Sequence, residues 1–209
     1  MKTANVLMID RLRMGTDGDG VTTLVGFYGC PLHCKYCIND QCHALDSNSL
    51  MTSIDLYNRV KIDQLYFKAT GGGLTLGGGE PLLNAEFIEE VLNFGAKDWH
   101  TTIETSLNVP IEKWKCLIDY VDEYIVDVKD MNPAIYKSYT GSNNDIVIKN
   151  LKELQRQNLS NKVLIRLPSI YNFNDNDDIQ RSRKELEEIG FTRFNEFKYK
   201  VFNGRKNEM

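Results

Sequence analysis

The sequence predicts an α/β protein in which parallel strands carry outer helices, and three observations lead there. Short apolar runs alternate with segments of helical periodicity from residue 20 onward, the pattern of βαβ units joined by right-handed crossovers. About six such units fit the chain, short of the eight that close a full barrel, so an open, partial barrel or a doubly wound sheet is expected. Residues with chemical potential fall directly after strands, where ligands gather in both architectures.

Val21 to Tyr28 reads as the first strand and delivers the chain into a cysteine-rich loop. Ser53 to Val60 forms a short helix. Leu74 to Leu76 is a brief strand running into Gly77, Gly78 and Gly79. Asn84 caps a helix through Ala96 whose apolar side is Phe87, Val91, Leu92 and Phe94. After a strand at Thr101 to Glu104, Pro110 takes the first position of a helix reaching Tyr120. Tyr124 to Val128 is the next strand, and Asp145 caps a helix that buries Ile148, Leu151 and Leu154. Val163 to Leu167, a helix from Asp178 to Ile189 and a strand from Phe194 to Tyr199 complete the pattern. With no repeat, low-complexity tract or boundary in sight, residues 1–209 read as a single domain.

Composition narrows the class. Hydrophobic residues make up 42% and charged residues 26%, ordinary for a soluble globular protein. A net charge of −4 gives no basic field to recruit nucleic acid, and Lys198, Lys200, Arg205 and Lys206 read as a solvated tail. No apolar stretch approaches the roughly 20 residues of a membrane span. Met1 to Asp10 is too short and polar for a signal peptide. Five cysteines without an export signal point to the reducing cytoplasm.

Cys30, Cys34 and Cys37 follow a C-x3-C-x2-C spacing. Three thiolates can hold three irons of a [4Fe-4S] cube and leave the fourth open, the counterpart of a catalytic metal site with a free position. Zinc stays open as an alternative, with His33, His43 or Cys42 completing a tetrahedron, although no second C-x2-C pair follows. A second signal is Thr75 to Pro81 (TLGGGEP). Glycines directly after a strand let a ligand approach the backbone, so carbonyls there can receive an amino group while Glu80 anchors the turn.

Together these motifs resemble the radical S-adenosylmethionine (SAM) superfamily. The resemblance implies a partial (β/α)6 barrel in which Cys30, Cys34 and Cys37 ligate a [4Fe-4S] cluster. Tyr36 would lie near the adenine, and Gly78, Gly79 and Glu80 would receive the methionyl amino group. The open iron would chelate SAM, and one electron would release a 5′-deoxyadenosyl radical that abstracts hydrogen. The likeness extends to the activases of glycyl radical enzymes, of the pyruvate formate-lyase activating type without a ferredoxin-like insertion. It is carried by Asp17 to Gly20 (DGDG), Ala69 to Glu80, Thr102 to Asn108 (TIETSLN), Val126 to Asn132 (VDVKDMN) and Leu164 to Leu167 (LIRL). It implies that Glu104, Thr105 and Asp127 seat a monovalent cation, that Lys129 and Arg166 contact SAM, and that Asp17 approaches the substrate backbone. The implied partners are a glycyl radical enzyme and a flavodoxin- or ferredoxin-like electron donor.

The chain departs from that pattern. Asp19 replaces a proline, Thr22 stands where arginine is usual, Glu104 replaces an aspartate and Ile38 follows the third cysteine. A late histidine has no counterpart, with Lys200 nearest in register. These departures motivate a second reading, radical chemistry on a small molecule or ribosomal peptide. A third is a non-catalytic iron-sulfur or zinc module. Among the remaining residues, Cys116 reads as a small core residue, His33 and His43 as surface groups, and Asn172 to Asp178 as a turn capping the next helix.

Overall fold

The computed structural model describes residues 1–15, 18–44, 46 and 49–199. Eight strands form one sheet: β1 (Thr3–Met14), β2 (Val21–Phe27), β3 (Leu50–Thr52), β4 (Gly73–Gly78), β5 (His100–Thr105), β6 (Glu123–Asp127), β7 (Val163–Ser169) and β8 (Phe194–Lys198). Their order is β3-β1-β2-β4-β5-β6-β7-β8. From β2 to β8 every neighbouring pair is parallel, whereas β1 runs antiparallel to both β2 and β3. The parallel part therefore holds the six strands expected of a partial barrel, and β1 with β3 extends its leading edge.

Register and alternation sort the side chains. Leu76, Ile103, Tyr124 and Val163 stand in neighbouring pairs and share one face. All four are buried in the core with Leu56 and Val60 of α1 (Ser53–Lys61), Ile88 and Val91 of α3 (Ala85–Asn93), and Leu151 and Leu154 of α5 (Asp145–Arg156). The opposite face carries Glu104, Asp127 and Arg166 toward the carboxyl ends of β5, β6 and β7. The helices α2 (Gln64–Thr70), α4 (Pro133–Thr140) and α6 (Asn176–Ile189) complete the set. No described helix is long and apolar enough to cross a membrane.

Local chemistry explains most boundaries. Asp175 caps α6 in a reciprocal capping box with Asp178, as the Asn172–Asp178 reading anticipated. Asn132 accepts from the Ala134 N–H, Pro133 opens α4, and Gly141 closes it with left-handed backbone. Several expectations fail. Asn84 makes no capping side-chain bond, and α5 starts after Asn144 rather than at an Asp145 cap. Phe94 is 40% exposed rather than on the buried side of α3, and Ile148 is only half-buried. The segment after Pro110 forms two 3₁₀ turns, Ile111–Lys113 and Lys115–Leu117, in place of a helix to Tyr120. Trp114, between them, is fully buried and donates its indole N–H to the Val109 carbonyl at 2.9 Å. Asn150 of α5 donates to the carbonyls of both Leu107 and Val109. The Val109 carbonyl, which would accept the first bond of a helix opening at Pro110, is thus already taken by two side chains.

Candidate active site

The site begins where β2 and β4 end side by side. Gly79 N–H donates to the Phe27 carbonyl at 3.0 Å and Glu80 N–H to the Gly29 carbonyl at 2.8 Å. The approach is too close for side chains. A Cβ on Gly78, whose φ is +93°, would lie 2.6 Å from Gly26 Cα, and one on Gly79 would lie 2.2 Å from the Gly29 oxygen. The cysteine loop that follows is pinned to the end of α4, with His33 and Lys35 N–H groups donating to the carbonyls of Thr140 and Tyr139.

A cleft of about 360 Å³ opens at these strand ends. It is lined by Cys30, Cys34 and Cys37, by Gly78 and Gly79, and by Glu104, Thr105, Asp127, Lys129 and Arg166. Burial pushes the Cys30 thiol up to about 12 and the Cys34 thiol up to about 11. Such thiols stay protonated near neutrality until a metal displaces the proton. Among the described residues no three His, Cys, Asp or Glu side chains converge on a single ion. A cubane makes no such demand, because each thiolate meets a different iron.

Opposite the cysteines the charges alternate. Arg166 reaches Glu104 at 3.1 Å through Nη1 and Asp127 at 3.3 Å through Nε, and Lys129 Nζ lies 3.0 Å from Asp127. Burial lowers the Lys129 ammonium's proton affinity, but Asp127 and the nearby Cys34 outweigh it and hold the group above its ordinary range. Arg166 also stacks 5.1 Å from the Phe197 ring, and Lys129 lies 5.9 Å from that of Tyr199.

A profile of the radical SAM superfamily matches residues 24–183. The chain belongs to the radical SAM superfamily. Membership implies a [4Fe-4S] cluster and SAM, and the three thiols in one cleft fit the cluster. The chain is 32% identical over 162 residues to the (2S)-3-sulfopropanediol dehydratase activating enzyme of Klebsiella oxytoca, covering 71% of this chain and 50% of that one. It is 28% identical to the 4-hydroxyphenylacetate decarboxylase activating enzyme of Clostridioides difficile strain 630, covering 78% and 71%. The chain thus spans about half the length of the first of these relatives. In fold it resembles Streptococcus suis SuiB bound to S-adenosylmethionine, with a TM-score of 0.64 at 20% identity over 85% of this chain and 40% of SuiB.

Within this radical SAM frame, the expected residues fall into three groups. Most line the cleft. Glu80 is fully buried, and its carboxylate accepts from Leu82 N–H at 3.2 Å, Thr105 Oγ1 at 2.7 Å, Ser106 N–H at 2.9 Å and Ser106 Oγ at 2.6 Å. It therefore ties the glycine turn to the end of β5. Burial pushes this carboxyl above the ordinary range, and its donors pull the other way. The Tyr36 ring packs on Tyr139 and Phe173 at 6.1 and 5.8 Å. Asp17 and Lys200 lie outside the described residues.

Other neighbours escaped the sequence reading. Asn39, Ser106, Phe197 and Tyr199 line the cleft. Phe197 and Tyr199 were visible only as a strand's apolar residues, and Ser106 as the middle of TIETSLN. Cys42 lies in the same cleft, 2% exposed. His33 and His43 are exposed and stack on each other, 4.3 Å between centroids. Cys116 packs against the core as expected.

Proposed function

We propose that this chain is a radical SAM activase that removes a hydrogen atom from a backbone glycine of a partner glycyl radical enzyme. The observation that supports it best is the convergence of three half-buried thiols, a glycine pair and an alternating charge chain in one cleft. The similarity to relatives named as activating enzymes supplies the reaction class. When bound, a cluster with an open iron supplies the electron that cleaves SAM to the hydrogen-abstracting radical.

The chain's own residues then have separable tasks. Cys30, Cys34 and Cys37 hold the cluster, and the cleft around them limits water. The Gly78 and Gly79 backbone receives the amino group, and Glu80 keeps that turn in place. Lys129 and Arg166 give the cofactor carboxylate charge-assisted hydrogen bonds. Glu104 and Asp127 balance those cations, and with Thr105 they offer hard oxygen atoms to a monovalent cation. Tyr36 borders the adenine, and Asp17 meets the substrate backbone. Residues 1–209 act as one radical SAM domain, in the cytoplasm, reduced by a flavodoxin- or ferredoxin-like donor.

The alternative substrate classes, a small molecule or a ribosomal peptide, draw on Asp19 and Thr22. Thr22 is uncharged and 3% exposed, so this position offers a substrate neither a charge nor an accessible hydroxyl. The test is anaerobic reconstitution with iron and sulfide, reduction with SAM, and electron paramagnetic resonance of a mixture with a candidate glycyl radical enzyme. A doublet on the partner is expected. Release of 5′-deoxyadenosine without a doublet on any candidate would favour the alternative. No 5′-deoxyadenosine, with Cys34→Ala binding as much iron as the wild type, would end both.

A further inference from the structure

The cysteine loop is tied to the glycine turn at both of its ends. At its entrance, Glu80 N–H donates to the Gly29 carbonyl, one residue before Cys30. At its exit, two residues beyond Cys37, the Asn39 side-chain amide donates to the Gly78 carbonyl at 3.1 Å. Asn39 is itself held, since its own carbonyl accepts from Cys42 N–H at 2.9 Å, and it lines the cleft beside Gly78 and Gly79.

We infer that Asn39 is a positioning residue that fixes the distance between the metal-binding thiols and the carbonyl that receives the cofactor's amino group. This rests on the radical SAM reading of the cleft given above. The physical basis is the valence of the acceptor. A backbone carbonyl has two lone pairs. Asn39 takes one of them at Gly78 and fixes the direction of the other, which is left for an N–H of the cofactor's amino group. The β4 strand cannot shift to compensate, because Gly78 already lies against Gly26 and Phe27 with no room for a Cβ. A ligand seated at once on the cluster and on the glycine turn therefore meets two halves of one unit. Holding two reacting groups at a set separation is worth most when small displacements matter, as they do for cleavage of a bond beside a metal. A carboxamide suits the position because it donates without adding charge beside the incoming amino group.

The experiment compares wild type, Asn39→Ala and Asn39→Asp after anaerobic reconstitution. Iron content is measured first. SAM is then titrated against the reduced cluster's electron paramagnetic resonance spectrum, and the hyperfine coupling to SAM labelled with ¹⁵N at the amino group is recorded. Asn39→Ala should keep the wild-type iron content while its Kd for SAM rises about five- to tenfold, the loss of one hydrogen bond that orders the site. Its ¹⁵N coupling should broaden or weaken. Asn39→Asp aims a carboxylate oxygen at the Gly78 carbonyl and should bind no better than the alanine variant. Wild-type affinity and coupling in Asn39→Ala would overturn the inference. So would iron loss that accounts for the lost binding, since Asn39 would then only hold the cysteine loop. A wild-type cluster whose spectrum ignores SAM would instead overturn the reading of the cleft itself.

Discussion

Replacing Glu80 by glutamine changes one atom at the junction of the glycine turn and β5, and the structure sets the cost. Each carboxylate oxygen accepts from one backbone N–H and one hydroxyl: Leu82 N–H and Thr105 Oγ1 on one, Ser106 N–H and Ser106 Oγ on the other. Hydroxyls can rotate toward other acceptors. Backbone N–H groups cannot, so either orientation of the amide sets its NH₂ against a fixed donor. One buried donor left unsatisfied costs about 1–3 kcal/mol, and the remaining bonds lose their charge assistance. We expect about 2–4 kcal/mol in total. In a chain of this length that lowers Tm by roughly 5–15 °C. Thermal unfolding of wild type and Glu80→Gln at matched iron loading is the assay, and faster amide exchange at Leu82 and Ser106 should accompany the loss. A Tm within about 1 °C of wild type would refute the reasoning, because it would mean that burial keeps the carboxyl protonated and glutamine serves equally well.

Three further outcomes follow from the same geometry. Gly78→Ala, with its Cβ 2.6 Å from Gly26 Cα at φ +93°, should cost at least about 3 kcal/mol. Gly71→Ala, with φ +73° and open space around it, should cost only about 1 kcal/mol, and urea unfolding of the pair separates clash from backbone strain. Asp63 is buried and accepts from Arg11 Nε and Thr23 Oγ1. The Arg11 bond holds its carboxyl below the ordinary range against the pull of burial. Its stabilisation is therefore present above the unfolded value of about 3.9 and is lost as pH falls through the folded one. Asp63→Asn should be about 2 kcal/mol less stable at neutral pH, discounted because Arg11 is half exposed, and the gap should shrink in urea unfolding at pH 3. Arg166→Gln should raise the Kd for SAM about ten- to hundredfold by equilibrium dialysis without changing iron content.

The parallel strands were legible because most combine a short apolar run with glycine, proline or acid at the end, and helices of clear periodicity separate most of them. β1 was not. Only Ala4 and Val6 of its residues are buried, and two register shifts against β2 break the alternation that marks a strand. α4 was legible in principle through Asn132-Pro133 and Gly141, but its start overlaps a motif that reads as chemistry first. The segment after Pro110 misled because the indole bond of Trp114 and the reach of Asn150 are tertiary facts. At the site, spacing exposed the cysteines and glycines. Asn39 and Ser106 act through bonds to groups 39 and 26 residues away, and no local pattern announces those.

The charge chain divides labour between its two cations in a way that variants can separate. Lys129 is 8% exposed and sits 3.0 Å from Asp127. Drawing its ammonium away from Asp127 would leave this nearly buried cation short of its partner, and an uncompensated buried charge is costly. Arg166 is more open and spans Glu104 and Asp127 with two of its nitrogens. Two contacts do not exhaust a fork of five N–H groups, so Arg166 can accept a carboxylate ligand without releasing either acid. The ligand carboxylate therefore belongs first to Arg166, while Lys129 chiefly holds Asp127 in place. Lys129→Gln should then lower stability by about 1–2 kcal/mol, because Asp127 is part-exposed and keeps Arg166, and shift Tm even without SAM. Arg166→Gln should spare Tm and lose affinity. The reverse pattern, with Tm tracking Arg166 and SAM binding tracking Lys129 alone, would exchange the two assignments.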